Sequence, residues 1–296
     1  MKTQLECIPC ILRQTIETTR LATDDPTLQR KVINEILKFL TTMDFNQSPP
    51  ANGKTVYEII HKLTGNYDPY KELKRKYNAI ALAYYDKLIS FVFKSPEPVK
   101  TAAKLAVVGN IIDFGAHSHD EVNRLDFKEL MRNVNAMQFE IDHFEQMIDD
   151  LKHARSILYL ADNAGEIVFD RLFIEILQRY YPELGLEFSV AVRGAPIIND
   201  VTIDDARMVG IDRIAKIINN GDNAPATVLE NTSKEMQDAF AQADLIISKG
   251  MGNYETLDDR PELIYYLLKV KCPIVAKAIG AQEGSLVLKR NERYPS

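Results

Sequence analysis

From about residue 156 onward, short apolar runs alternate with amphipathic stretches, and this rhythm limits the folds open to the chain more than any other feature. "SILYLAD" reads as a buried strand and is followed by a helix from about Glu166 to Tyr181. "LEFSVAVRGAP" is a second strand, "TIDDARMVG" a short helix and "RIAKIINNG" a third strand. "TSKEMQDAFAQ" is helical, and "ADLIISKGMGN" is a fourth strand ending in a Gly-rich turn. "PELIYYLLKVK" then reads as a helix and "CPIVAKAIG" as a closing strand. Strands alternating with helices predict an α/β fold with a mostly parallel sheet and helices on both faces.

The first half has a different period. "LECIPCILRQTIETTRLA" carries apolar residues at helical spacing. "DDPTLQRKVINEILKFLTTM" follows, with Asp25 and Pro26 as an N-cap and first-turn pair. "NQSPPANG" reads as a loop, and "TVYEIIHKL", "DPYKELKRKYNAIALAYYDKLISFVF" and "PEPVKTAAKLAVVGNIIDFG" as three further helices. With no β-periodic segment evident, residues 1–150 are expected to form a helical domain and 151–296 the α/β domain. The formal charge of −6 argues against a general nucleic-acid binder. "MKTQLECIPC" is too polar for a signal peptide, no apolar run approaches a membrane span, and three cysteines make no disulfide framework. A cytoplasmic protein without membrane partners is expected.

In parallel sheets ligands bind outside the carboxyl ends of the strands. Three strand exits carry unusual polar groups there: Asp162, Asn163, Gly165 and Glu166; Arg193, Asn199 and Asp200; and Ser248, Lys249, Gly250, Gly252, Asn253 and Glu255. Carboxylate and amide oxygens are hard ligands suited to Mg²⁺, Mn²⁺ or a similar cation, and Lys249 among glycines suits a phosphate oxygen. Each piece also has a plainer explanation. Asp162 and Glu166 suit a helix N-terminus, Asn199-Asp200 an Asx turn, and Lys249 a solvated lysine beside a turn glycine. Convergence on one sheet edge weakens the plainer set without naming a reaction.

Other motifs fall short. "ANGKT" lacks the first glycine of a phosphate loop, "KGMGNYE" lacks the third glycine of a dinucleotide fingerprint, and neither D-x-D-x-T after a strand nor G-x-S-x-G occurs. Cys7 and Cys10 form C-x-x-C without a second pair, and Cys272 stands alone, which excludes a four-cysteine zinc site within one chain. "HSHD" at 117–120 has nothing near it in sequence to complete a metal site. In "LAVVGNIIDFG", Asn110 and Asp113 share a helix face within an apolar stretch, suiting either an interdomain hydrogen bond or one wall of a cleft.

"ADNAGE", "NDVTxxDA" from Asn199 to Ala206, "SKGxGNxET" from Ser248 to Thr256 and "GNxxD" from Gly109 to Asp113 together resemble the DUF89 family. Its members are also called damage-control phosphatases or ARMT1-like proteins. The N-terminal C-x-x-C resembles the subgroup common in archaea and bacteria. The resemblance spans nearly the whole chain. It implies a metal-dependent phosphatase with a helical N-terminal domain and a Rossmann-like α/β domain. By similarity Asp162, Asn163 and Asp200 match the metal ligands, with Mn²⁺, Co²⁺ or Ni²⁺ as occupants and Mg²⁺ a further option. Lys249, followed by Gly250 and Asn253, matches the phosphate-facing motif, and Asn110 and Asp113 match the helical contribution to the pocket. The R-T-x-K segment of some subfamilies is absent; "VAKAIG", with Lys277, stands in its place.

The expected substrate is a small phosphomonoester, a sugar phosphate or a damaged metabolite. Asp162, Glu166 and Lys249 are the expected catalytic residues. Glu166 is placed to orient or deprotonate water, and Lys249 to neutralise phosphoryl charge. Two alternatives remain at this level: a Rossmann-like adenosyl-methionine methyltransferase, and a non-catalytic metal- or phosphometabolite-binding protein.

Overall fold

A computed structural model describes residues 1–109 and 127–294. The chain begins with α1 (Cys7–Ala22), α2 (Pro26–Leu40) and α3 (Pro49–Thr64). Their start signals are local: the Asp25 carboxylate accepts from the Thr27 amide at 2.8 Å, and Pro26 occupies the first turn. Ser48 caps α3, so "PPANG" is the opening turn of a helix rather than part of a loop. The proline pair that suggested a loop sits where helices tolerate proline. These three helices share a small core of Ile11, Val32, Ile36, Val56, Tyr57 and Ile60.

The long helix expected from residue 68 breaks at Tyr84 into α4 (Lys71–Ala83) and α5 (Tyr85–Phe93). Next comes α6 (Pro98–Val108), buried nearly all round from Thr101 to Val108. A helix apolar on every side belongs inside a protein. It packs against the sheet's main core and so ties the helical half to the sheet. A short α7 (Phe127–Asn133) leads to β1 (Phe139–Asp142), a strand within the stretch expected to lack one. Four residues with the pattern Phe-Glu-Ile-Asp are too few for a period-2 signal to stand out.

The remaining elements are α8 (Phe144–Leu151), β2 (Ser156–Leu160), α9 (Glu166–Tyr180), β3 (Glu187–Val192), α10 (Ile203–Met208), β4 (Lys216–Asn219), α11 (Lys234–Gln242), β5 (Leu245–Lys249), α12 (Gly250–Leu257), β6 (Ile264–Lys269), α13 (Pro273–Ile279) and β7 (Leu286–Arg290). Three expectations are corrected here. "IYYLLK" is a strand and "PIVAKAI" a helix, the reverse of the expectation. A six-residue apolar run has no decisive period, and aromatic content with burial on both faces decides for a strand. Pro273 in the first turn and left-handed Gly280 at the end delimit a helix. The Gly-rich "turn" after β5 is itself the start of α12.

The sheet order is β1-β7-β6-β5-β2-β3-β4, parallel throughout except where β7 pairs antiparallel with β6. Alternate residues of the central strands serve different cores. Ile157 and Tyr159 face α6 and α9, whereas Leu158 and Leu160 face α11 and α12. The chain runs outward from β2 through β3 to β4, then returns to place β5 on the other side of β2. The order therefore reverses between β2 and β5, and in sheets of this kind ligands bind at such a reversal, outside the carboxyl ends of the strands.

Candidate active site

Both strands at the reversal end in the residues singled out by the sequence. β2 exits into Asp162-Asn163-Ala164-Gly165, and α9 begins at Glu166; β5 ends on Lys249, and α12 begins at Gly250. The β3 exit brings up the third segment. Asn163 and Asp200 form an antiparallel bridge, the Ala164 amide donates to the Asn199 carbonyl at 2.9 Å, and the Val201 amide donates to the Asp162 carbonyl at 2.9 Å. The two loops are therefore held backbone to backbone, which fixes Asp162 and Asp200 relative to each other. Gly250 completes this corner. At φ +78° its backbone lies so near Asp162 that a Cβ would fall 1.9 Å from Oδ2. Only glycine fits beneath that carboxylate.

The buried charges divide into two groups. At the edge, Arg193 Nε donates to Asp200 Oδ2 at 2.6 Å and Nη2 stands 3.9 Å from Asp162 Oδ1. Arg193 is buried, yet its Nη2 has no hydrogen-bond partner. The Ala226 amide also donates to Asp200 Oδ2, at 3.3 Å, from a residue at φ +81°. Non-glycine residues adopt that conformation rarely and at a cost. Burial, with Glu166 and Asp200 nearby, holds the Asp162 carboxyl well above its ordinary value. Burial also raises Asp200, and Arg193 opposes the shift.

Deeper, Lys249 is fully buried and uses all three ammonium hydrogens on protein oxygens. They go to the Ala106 carbonyl at 2.9 Å, Glu166 Oε1 at 2.5 Å and Asp170 Oδ1 at 2.6 Å. Tyr159 donates to the same Asp170 oxygen at 2.7 Å. Burial works against the ammonium, but Asp170 and Glu166 outweigh it and raise the Lys249 pKa. Burial pushes the Asp170 carboxyl up to about 7, Lys249 opposing and Glu166 assisting. Asn163 links the groups, donating to Asp162 Oδ2 at 2.8 Å and to Glu166 Oε2 at 3.2 Å.

The sequence-predicted residues Asp162, Asn163, Glu166, Asp200, Lys249 and Gly250 thus come together, with a correction for Lys249. It was expected to meet a phosphate oxygen; in the structure its hydrogens are committed to Glu166, Asp170 and α6. Asn253, on the first turns of α12, is also buried and donates to the Lys249 carbonyl at 2.8 Å, while its Oδ1 has no partner. Asn110 and Asp113 lie outside the described residues, as does "HSHD". Lys277 is exposed on α13. Asp170 and Arg193 carry more of the site than their sequence positions suggested. Asp170 had a faint signal, lying four residues after Glu166 and so on the same face of the helix.

The donor chemistry suits a hard cation. The four buried carboxyl groups (Asp162, Glu166, Asp170, Asp200) outnumber the two cationic side chains that pair with them (Arg193, Lys249). Two carboxylates and an amide at one corner are oxygen donors of the kind Mg²⁺ and Mn²⁺ take. Among the described residues no cluster of three or more His, Cys, Asp or Glu is arranged to hold a metal, so the Asn163 amide is needed to complete any set. Among those residues, too, no helix is long and apolar enough to cross a membrane.

Fold and corner together define a Rossmann-like α/β protein with a carboxylate-rich cluster at its topological switch point. The family model for the damage-control phosphatase ARMT1-like domain matches residues 3–287, and the chain belongs to that family. It is 33% identical to a damage-control phosphatase of Pyrococcus horikoshii, over 99% of each chain. It is 34% identical to a damage-control phosphatase of Archaeoglobus fulgidus, over 98% of this chain and 99% of the other. The crystal structure of a DUF89 family protein from Pyrococcus horikoshii superposes with a TM-score of 0.89 at 33% identity, covering 99% of this chain and 100% of that one. The chain is accordingly a phosphatase, and the methyltransferase alternative is set aside.

Proposed function

We propose that the phosphatase reaction is metal-dependent, acts on a small phosphomonoester of the phosphometabolite class, and takes place at the corner between β2 and β5. Asp162, Asp200 and the side-chain oxygen of Asn163 would hold the ion. When bound, a divalent cation polarises a phosphoryl oxygen and acidifies a water. The single observation that carries the reading is the joining of Asp162-Asn163 to Asp200 above a glycine whose missing Cβ leaves room for the Asp162 carboxylate.

The chain's own groups supply the rest. Arg193, anchored on Asp200 through Nε, keeps Nη2 for a phosphoryl oxygen. The N-termini of α9 and α12 both open at this corner, where helix ends favour anions. Glu166, oriented by Lys249 and Asn163, is placed to accept a proton from the attacking water. Lys249 acts through Glu166 as a positioning residue. The physiological location consistent with this reading is the cytoplasm, where phosphometabolites are made.

The test is phosphate release from a panel of phosphomonoesters by metal-free protein and by protein loaded with Mn²⁺, Co²⁺, Ni²⁺ or Mg²⁺. Asp162→Ala is expected to abolish both ion binding and turnover. A mere helix cap would instead cost about 1 kcal/mol of stability and leave turnover intact. Release that is equal with and without metal, or that survives in Asp162→Ala, overturns the proposal. So does ion binding with no panel member hydrolysed.

A further inference from the structure

The two loops that meet at the site are joined by backbone bonds on one side; on the other, one helical side chain spans them. Asn78 lies on α4, in the helical half, and is fully buried. Its Oδ1 accepts from the Gly165 amide at 2.7 Å, and its Nδ2 donates to Asp205 Oδ1 at 3.2 Å. Gly165 ends the Asp162 loop at φ +82°, ψ −51°, immediately before Glu166. Its N–H sits at a helix start, where no intrahelical acceptor exists. Asp205 lies in the first turn of α10, the helix that follows the Asp200 loop: its other oxygen accepts from the Thr202 amide at 3.0 Å and the Thr202 hydroxyl at 2.7 Å, closing a capping box on a residue two after Asp200.

We infer that Asn78 is a positioning residue for the phosphatase site, a bridge by which α4 fixes the Asp162 loop against the Asp200 loop. The inference rests on the metal-dependent reading above. Lys74, one turn earlier on α4, reinforces the contact. It is buried, 3.5 Å from Asp205 Oδ2 and 3.2 Å from Asp68 Oδ2, so that Asp205 is neutralised from the same helix face. An asparagine is suited to this place because it accepts from an amide and donates to a carboxylate at once. Alanine does neither. Removing it strands the Gly165 N–H and one Asp205 oxygen, both buried, and frees the turn that aims Asp162, Asn163 and Glu166. Groups that orient ligands from behind affect metal affinity or activity by about 10- to 100-fold in known metal sites.

The test compares wild type, Asn78→Ala and Tyr265→Phe. The last removes a hydroxyl bond of 2.5 Å from Tyr265 on β6 to Asp150 on α8 and serves as a stability control. Mn²⁺ affinity is read by calorimetric titration, turnover with p-nitrophenyl phosphate, and folding by melting temperature. Asn78→Ala is expected to weaken Mn²⁺ binding by about tenfold or more and to lower kcat by a similar factor. KM should change little, because the substrate-contacting groups remain. Tyr265→Phe should lower only the melting temperature. Should Asn78→Ala prove insoluble, Asn78→Asp takes its place under the same criteria, since it keeps the acceptor for Gly165 and loses the donor to Asp205. Mn²⁺ affinity and kcat both within twofold of wild type would overturn the inference, as would losses no larger than those of Tyr265→Phe. A wild type that binds no Mn²⁺ defeats the metal-dependent reading itself, an outcome visible before any variant is compared.

Discussion

Replacing Lys249 with methionine separates a buried structural network from a surface phosphate contact. Methionine matches the length of the stem but carries no charge, and Lys249 is wholly enclosed. Its removal leaves Glu166 and Asp170 facing each other without a cation, and the Ala106 carbonyl without its donor. Breaking a buried pair by deleting one partner costs about 3–5 kcal/mol, because the remaining charge is uncompensated. Two carboxylates share this lysine, so the upper part of that range is expected. The loss has a pH signature. Without the ammonium, which opposes the effect of burial, the Asp170 carboxyl titrates higher still in the folded state than in the unfolded chain. The folded variant then holds protons that the unfolded chain has released, so its stability rises as pH falls from 8 towards 5. Adding Asp170→Asn removes one of the two stranded charges, and the double variant should be more stable than the sum of the single losses implies. Urea denaturation at several pH values measures all of this. Lys249→Met within about 1 kcal/mol of wild type at pH 7 would refute the network, that being the range of exposed ion pairs. Strict additivity with Asp170→Asn would refute it as well.

Asp170 has a folded-state pKa of about 7, well above the 3.8 of an unperturbed aspartate. The folded protein therefore holds an extra proton between about pH 4 and 7, and the stability it confers is present below that window and lost as pH rises through 7. Asp170→Asn should flatten this fall in a urea series from pH 4 to 8; an unchanged slope would assign the proton elsewhere. Gly250→Ala places a Cβ 1.9 Å from Asp162 Oδ2 in a backbone conformation that L-residues resist. It should cost about 1–3 kcal/mol and depress turnover by displacing Asp162, measured by melting and by phosphate release; wild-type turnover in a folded variant would show that Asp162 has room to move.

The corner was legible in the sequence because its chemistry is local. Each apolar run that ends in Asp-Asn or Lys-Gly announces both a strand and the polar group beyond it, and parallel topology does the gathering. The exchange between β6 and α13 has the opposite cause: "LIYYLL" and "PIVAKAI" are too short for their period to decide, and what settles them is burial against neighbours far away in sequence. β1 and β7 escaped notice for a related reason. Asn78 left no mark at all, since one asparagine among the polar residues of an amphipathic helix looks like any other. Its partners Gly165 and Asp205 are 87 and 127 residues distant. Arg193 was visible at its strand exit, but nothing in a linear pattern distinguishes a guanidinium clamped on Asp200 from one in solvent.

The two buried cations of the corner differ in how far the protein satisfies them. Lys249 is a compact charge whose three hydrogens are all met by fixed oxygens, and the carboxylates it holds lie behind the strand ends. Arg193 is a planar fork with more donors than the site consumes: Nε is satisfied by Asp200, while Nη2 is buried without a hydrogen-bond partner. A saturated donor set has nothing to offer a ligand unless an existing bond breaks, whereas an unmet buried donor already bears the cost of desolvation and recovers it when an anion arrives. The asymmetry favours Arg193 as the cation that meets a phosphoryl oxygen. It gives Lys249 the prior task of holding Glu166 in place, beside the carboxylates that would bind the ion.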